Sequence, residues 1–188
     1  RLPMTRATAL ALAFLVWCPA VLADDVPLSL WTHADYPSGL PIGWTNGVSW
    51  GDYDADGYID LFACQSGNLW RNVDGVSWEL AANLDGLMPF TQQRYGASFG
   101  DYDNDGLPDI GTEPRIVFTD DDKLHLLKNL GGWPHFVDVA GDPAIVDVQP
   151  HGNGETLCWA DVNGDRNLDL FLPVYPGAGP GNFFLFNE

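Results

Sequence analysis

The chain has 188 residues, of which 26 are acidic and 8 are basic, and its net charge at pH 7 is −18. This balance argues against nucleic acid and anionic membrane surfaces as partners, because no basic stripe is available to meet phosphates. The length suffices for one domain with a hydrophobic core, and the many Trp, Phe, Leu and Val residues argue against disorder.

The first predicted element is an apolar run over residues 7–23, which follows Arg6 and ends with small residues at positions 21 and 23. We interpret residues 1–23 as a secretory signal peptide. A membrane anchor is the alternative, but the run falls short of the roughly 20 residues that a spanning helix needs. The signal predicts a secreted, periplasmic or cell-surface protein, with no membrane insertion after cleavage.

Three segments of the remaining chain share one acidic pattern without a gap. They are WGDYDADGYIDL (50–61), FGDYDNDGLPDI (99–110) and WADVNGDRNLDL (159–170). Each has an aromatic residue and a small residue, then an acidic nonamer, then an apolar residue. Internal repeats with a period near 50 residues are typical of propeller blades.

A second signature follows each acidic segment: LWRN (69–72), LLKN (126–129) and FLFN (184–187). After the first two come a turn and a short aromatic strand. One repeat therefore predicts a strand, an acidic loop, two strands, a turn and a fourth strand. The predicted fold is all-β, with about three four-stranded antiparallel blades over residues 44–82, 93–140 and 154–188, all within a domain spanning 24–188.

The oxygen-bearing side chains of each nonamer fall at positions 1, 3, 5 and 9, and position 7 can add a backbone carbonyl. When the backbone coils, these odd positions converge on one point. Four or five oxygens of this kind suit Ca²⁺ better than Mg²⁺, and the lack of Cys and His disfavours zinc. The predicted ligands of up to three structural calcium ions are Asp52, Asp54, Asp56, Tyr58 and Asp60; Asp101, Asp103, Asp105, Leu107 and Asp109; and Asp161, Asn163, Asp165, Asn167 and Asp169.

Two details qualify this interpretation. Gly57 and Gly106 at position 6 supply a positive φ, whereas the third loop has Arg166 there, so we expect the third site to be the weakest. An EF-hand also contains DxDxDG, but it needs an acidic residue at position 12 and flanking helices. Position 12 is Ala63, Thr112 or Leu172 here, and the flanks are strand-like.

On these motifs the chain resembles FG-GAP/VCBS repeat proteins of the exported bacterial type, whose calcium-loop blades also form the propellers of integrin α-subunits. The resemblance covers about residues 29–188. It implies a β-propeller with calcium in the hairpin loop of each blade, and it does not imply a single function.

The third repeat stops after its third strand, and residues 28–41 resemble a fourth strand that completes a last blade. Closed propellers have about four to eight blades. We therefore expect the three blades to be part of a larger, truncated propeller.

Three functions are compatible with such a scaffold. We expect an adhesion, binding or scaffolding module without catalytic activity, whose partner is an extracellular protein or glycan. A lectin that stacks sugars on Trp44, Trp78, Trp133 or Tyr175 is one alternative. A polysaccharide lyase is another, but His33, His125, His135 and His151 are scattered along the chain. Aromatic residues before the loops, such as Trp50 and Trp159, are expected in the core between blades.

Cys64 and Cys158 remain after removal of the signal peptide. They occupy non-equivalent positions among apolar neighbours, so we expect two buried thiols, with a disulfide as the alternative.

Overall fold

The structure, a computed structural model, describes residues 40, 42–43, 45–88, 94–114, 124–140, 156–173 and 181–188. All of them lie within the unit Tyr36–Glu188. The predicted signal peptide lies outside the described residues, as does nearly all of the N-terminal segment 28–41 expected to complete a last blade.

Regular structure in the described residues consists of β-strands and one short 3-10 turn, Asp85–Leu87, with no α-helix. The strands are β1 (Val48–Gly51), β2 (Asp60–Ala63), β3 (Asn68–Val73), β4 (Ser77–Asn83), β5 (Arg94–Gly100), β6 (Asp109–Pro114), β7 (His125–Asn129), β8 (Phe136–Asp138), β9 (Cys158–Ala160), β10 (Asp169–Leu172) and β11 (Phe183–Leu185). Within the part of the chain that the structure describes, no helix is long and apolar enough to cross a membrane.

The strands form three antiparallel sheets, ordered β1-β2-β3-β4, β5-β6-β7-β8 and β9-β10-β11. This confirms the prediction of an all-β fold built from propeller-like blades. We call the sheets blades 1, 2 and 3. Blade 3 has three strands among the described residues, as its sequence predicts.

The second strand of each blade carries the core. All four residues of β2 are buried, because its two faces meet different neighbours. Leu61 packs with Leu40 and Trp70 on one face. Phe62 packs on the other face in a cluster that includes Ile110 and Leu127 of blade 2. Blades 1 and 2 thus share one hydrophobic core.

A glycine that meets an aromatic ring recurs at the contact between successive blades. A Cβ atom at Gly51 would lie 2.4 Å from Cγ of Phe99, and a Cβ atom at Gly100 would lie 2.6 Å from Cδ1 of Trp159. Only glycine leaves room for the ring at these two positions. The aromatic residue before each loop in blades 2 and 3 therefore packs against the preceding blade, as predicted for Trp159.

The same expectation is wrong for Trp50. Its side chain is 57% exposed, and its ring lies 6.1 Å from that of Trp78 in the same blade. The sequence pattern is equivalent in all three repeats, but blade 1 is the first of the described sheets. Trp50 therefore has no preceding glycine in the described structure to pack against.

The two cysteines also differ from the expectation. No disulfide joins them: Cys64 is buried, and its Sγ donates a hydrogen bond of 2.8 Å to the carbonyl of Gly47. Cys158 is exposed, which corrects the prediction of two buried thiols. Its side chain alternates with that of Trp159 along β9 and so points away from blade 2.

Candidate metal centres in the acidic loops

Each acidic nonamer forms the hairpin connection between the first two strands of its blade. The pairs Gly51↔Asp60, Gly100↔Asp109 and Ala160↔Asp169 close the three hairpins. The last Asp of each loop is therefore also the first residue of a buried strand. This register places the predicted ligands at one edge of each sheet.

The first carboxylate of each loop organises the backbone around it. In loop 1, Oδ1 of Asp52 accepts a hydrogen bond from the N–H of Asp56 at 3.1 Å, and Oδ2 accepts one from the N–H of Gly57 at 2.9 Å. The same two bonds recur in loops 2 and 3, at Asp101 with Asp105 and Gly106, and at Asp161 with Asp165 and Arg166. These bonds coil each loop around its first carboxylate.

The last carboxylate of each loop is buried and joins the start of its loop to the Asn that ends the following signature. Oδ2 of Asp60 accepts from the N–H of Tyr53 at 3.0 Å, and Oδ1 accepts from the N–H of Asn72 at 2.8 Å. Asp109 and Asp169 are held in the same way by Tyr102 with Asn129 and by Val162 with Asn187. Burial raises the pKa of Asp60 and of Asp109 to about 6, although the backbone N–H groups act in the opposite direction.

Three carboxylates converge in each of the first two loops. Asp52, Asp54 and Asp60 each offer an oxygen within 4.8 Å of the others. Asp101, Asp103 and Asp109 form the equivalent group in loop 2. In loop 3 the predicted ligand Asn163 takes the place of the middle carboxylate. Loop 3 therefore has one negative charge fewer than loops 1 and 2.

The predicted ligands at position 5, Asp56 and Asp105, do not belong to the groups of three converging carboxylates, and each bonds to the residue at position 7. Oδ1 of Asp56 accepts from the N–H of Tyr58 at 2.9 Å, and Oδ1 of Asp105 accepts from the N–H of Leu107 at 3.0 Å. Asp165 and Asn167 repeat the contact in loop 3 at 2.7 Å. The use of Tyr58, Leu107 and Asn167 as carbonyl ligands stays a prediction.

Two positions of each loop adopt a positive φ. At position 6, Gly57 and Gly106 both have φ of 91°, which confirms the prediction from sequence, and Arg166 has φ of 79°. At position 4 the values are 57° at Ala55, 59° at Asn104 and 80° at Gly164. Loop 3 therefore keeps the loop conformation but has its glycine at the other position.

Two basic side chains without a predicted role reach the loops. Arg71 contacts Asp54 and Asp56, each at 2.6 Å, and Lys128 forms ion pairs with Asp103 and Asp105. Both occupy the third position of the signature that follows the loop, where blade 3 has Phe186. The recurrence of a basic residue at the third position of this signature is the sequence feature that could have indicated their role.

The Asn that ends each signature is a second residue whose role was missed. Asn129 donates from Nδ2 to the carbonyl of Tyr53 in loop 1 at 2.7 Å, and Asn187 donates to the carbonyl of Tyr102 in loop 2 at 2.6 Å. Each Asn thus links its own loop, through its backbone N–H, to the loop of the preceding blade. Asn72 donates to Ile59 within its own blade.

The donor set fits a hard divalent cation. The converging atoms are carboxylate oxygens, which Ca²⁺ and Mg²⁺ prefer, and no Cys or His belongs to either three-carboxylate group. A second sign is that a cationic side chain is held against the carboxylates of loops 1 and 2. Acidic groups so close together need a positive partner, since like charges about 4 Å apart repel by roughly 4 kcal/mol at an effective dielectric of 20.

Neither histidine among the described residues belongs to a group of converging carboxylates. Nδ1 of His125 lies 2.6 Å from Oδ2 of Asp138 on the neighbouring strand. The ring of His135 packs edge-on against Tyr53 and Trp133. His33 and His151, like Trp44 and Tyr175, lie outside the described residues.

Comparison with known families agrees with the geometry. Residues 52–112 match the FG-GAP-like repeat, so the match begins at the first Asp of loop 1 and ends within β6 of blade 2. No curated protein matches the chain. The predicted resemblance to FG-GAP repeats is confirmed, while the VCBS and export features remain predictions.

Proposed function

We propose that this chain, which carries an FG-GAP-like repeat over residues 52–112, is an exported β-propeller-like module whose loops bind structural calcium. The observation that carries the proposal is the convergence of three carboxylates within 4.8 Å in loops 1 and 2. The donors are hard oxygens, which both Ca²⁺ and Mg²⁺ bind. Ca²⁺ takes six to eight ligands in a flexible geometry, which a coiled loop provides more readily than the strict octahedron of Mg²⁺. The ions would neutralise the loops and hold the hairpins of neighbouring blades.

The role that follows from this scaffold is binding or scaffolding rather than catalysis. Such a module presents loops for contact with an extracellular protein or glycan, and cation binding would add to its folding free energy.

Thermal unfolding of the full chain in EDTA and in millimolar Ca²⁺ tests the proposal. A site that binds Ca²⁺ at a free concentration 100 times its Kd adds about 2.7 kcal/mol, which raises Tm by about 5–10 °C in a chain of this size. Asp52→Ala combined with Asp101→Ala should remove most of the calcium-dependent shift, whereas Glu188→Ala, at an exposed position outside the loops, should leave it unchanged. A Tm indifferent to Ca²⁺ in the unmodified chain would refute the calcium assignment.

A carbohydrate-binding function is the second candidate, and one observation favours it. A cleft of about 500 Å³ lies between blades 1 and 2, lined by polar groups that include Glu79 and Asn129. At its edge, His135 contacts the ring of Trp133, whose side chain is 85% exposed. Exposed aromatic faces beside polar groups suit sugar rings.

A glycan array probed with the full chain and with Trp133→Ala tests this candidate. Glycan binding that is lost in Trp133→Ala would support a lectin. Release of unsaturated uronides from a polysaccharide would in addition support lyase activity. A chain that retains no glycan in the array would leave the protein-binding module as the proposal.

A further inference from the structure

One strand position places a positive charge at the acidic loop in two of the blades. Arg71 lies in β3 and Lys128 in β7, each immediately before the Asn whose backbone N–H binds the last loop carboxylate. Each side chain extends from the third strand of its blade to the acidic loop of the same blade. In blade 3 the equivalent residue is Phe186, which is exposed and uncharged.

The contacts engage the atoms that a cation would need. Nε of Arg71 binds Oδ2 of Asp54 and Nη2 binds Oδ2 of Asp56, both at 2.6 Å. Asp54 belongs to the three-carboxylate group of loop 1. In loop 2, Nζ of Lys128 binds Oδ2 of Asp103, a member of the second group, and lies 3.5 Å from Oδ2 of Asp105.

We propose that Arg71 and Lys128 are built-in competitors of the bound cation, which lower the calcium affinity of loops 1 and 2. This inference rests on the proposed function. Each basic side chain offsets part of the negative charge of its loop when the ion is absent. It opposes an incoming divalent ion by charge repulsion and by occupying carboxylate oxygens. The ion must displace the side chain or bind beside it, and either event weakens binding.

Arg71 has a third carboxylate partner, which lies outside the loop. Its Nη1 lies 3.3 Å from Oε1 of Glu79, its register partner on β4. The guanidinium can therefore leave Asp54 and Asp56 without losing all of its ionic contacts. The register partner of Lys128 is Val137, which offers no charge.

The test is calcium titration of the full chain by calorimetry, with one loop left intact at a time. In a background of Asp101→Ala and Asp161→Ala, only loop 1 keeps its first ligand. Arg71→Met should then bind Ca²⁺ about fivefold more tightly than the same background with Arg71, because no cationic side chain competes for Oδ2 of Asp54 and Asp56. Arg71→Lys keeps the charge and should stay within about twofold.

The reciprocal change is made in blade 3, which keeps the test independent of how Arg71→Met folds. In a background of Asp52→Ala and Asp101→Ala, Phe186→Arg should weaken calcium binding at loop 3 about fivefold, while Phe186→Leu should not. Circular dichroism verifies that each variant is folded.

The outcomes separate the two hypotheses. Calcium binding that is unchanged or weaker in Arg71→Met and unchanged in Phe186→Arg would overturn the competitor role and leave the calcium sites intact. Failure of the unmodified chain to bind Ca²⁺ at all would overturn the proposed function, and the competitor role with it.

Discussion

The side-chain amide of Asn129 donates a hydrogen bond of 2.7 Å to the backbone carbonyl of Tyr53, 76 residues earlier in the chain. The backbone N–H of the same Asn binds Oδ1 of Asp109 at 2.7 Å, while the N–H of Tyr53 binds Oδ2 of Asp60. The last carboxylates of loops 1 and 2 are thereby joined through two backbone segments and one side chain. Asn187 continues the connection to loop 3 through Tyr102. The acidic loops are thus parts of one hydrogen-bonded row across the blades.

Removing this link is expected to destabilise the fold. Asn129 is almost fully buried, and Asn129→Ala leaves the carbonyls of Tyr53 and Pro108 without their donor. Unsatisfied buried polar groups cost about 1–3 kcal/mol each, so the free energy of unfolding should fall by about 2–3 kcal/mol in urea denaturation. The control is Asn72→Ala, at a partly exposed site bonded within its own blade, which should cost less than about 1 kcal/mol. If Asn129→Ala and Asn72→Ala lowered the free energy of unfolding equally, the hydrogen bond between blades would not be what stabilises the fold.

The glycine–ring contacts between blades make a second prediction. Gly51→Ala places a Cβ atom 2.4 Å from Cγ of Phe99, so the ring must move. We expect Tm to drop and the free energy of unfolding to fall by about 1–3 kcal/mol. Gly86→Ala is the matched control, because a Cβ atom there meets nothing within 4 Å. Gly51→Ala combined with Phe99→Leu should recover part of the loss. Scanning calorimetry in EDTA measures all three variants, and a Gly51→Ala protein as stable as Gly86→Ala would refute the packing.

Backbone strain in loop 3 is a third testable feature. Arg166 has φ of 79°, a conformation that costs a residue with a side chain about 1–2 kcal/mol. Arg166→Gly should therefore stabilise the metal-free protein by up to about 1 kcal/mol, while Arg166→Ala should not, since alanine keeps the strain. Conversely, Gly57→Ala should destabilise by about 1 kcal/mol or more. A stabilisation shared by Arg166→Gly and Arg166→Ala would indicate that charge, and not backbone conformation, is responsible.

Thiol reactivity distinguishes the two described cysteines. In a Cys18→Ser background, the exposed Cys158 should react with a thiol reagent in the native protein, whereas the buried Cys64 should react after denaturation. The ratio of rates in native and denaturing buffer is measured by absorbance of the released chromophore. Two protected thiols in the native state would contradict the exposure of Cys158, and Cys158→Ser identifies which thiol reacts.

The sequence alone was enough to determine the parts of this protein that depend on neighbouring residues. The apolar residues that flank each acidic segment and recur in the following signature predict the strands, and the nonamers with their Asp and Gly spacing predict the hairpin loops. The positive φ values of Gly57 and Gly106 follow from the same local rule. These features are local because a strand or a tight loop is specified by a few consecutive side chains.

Tertiary structure decided everything that depends on which blade lies next to which. Trp50 and Trp159 are equivalent in the sequence, but among the described residues only Trp159 meets a glycine of a preceding blade. The bond from Asn187 to Tyr102 joins residues 85 positions apart, and nothing in either local sequence indicates the partner. Arg71 reaches Asp54 only because strands β2 and β3 pair and turn its side chain toward the loop. The sequence therefore contains the ligands in their order, whereas strand pairing and blade packing determine which charges and amides surround them.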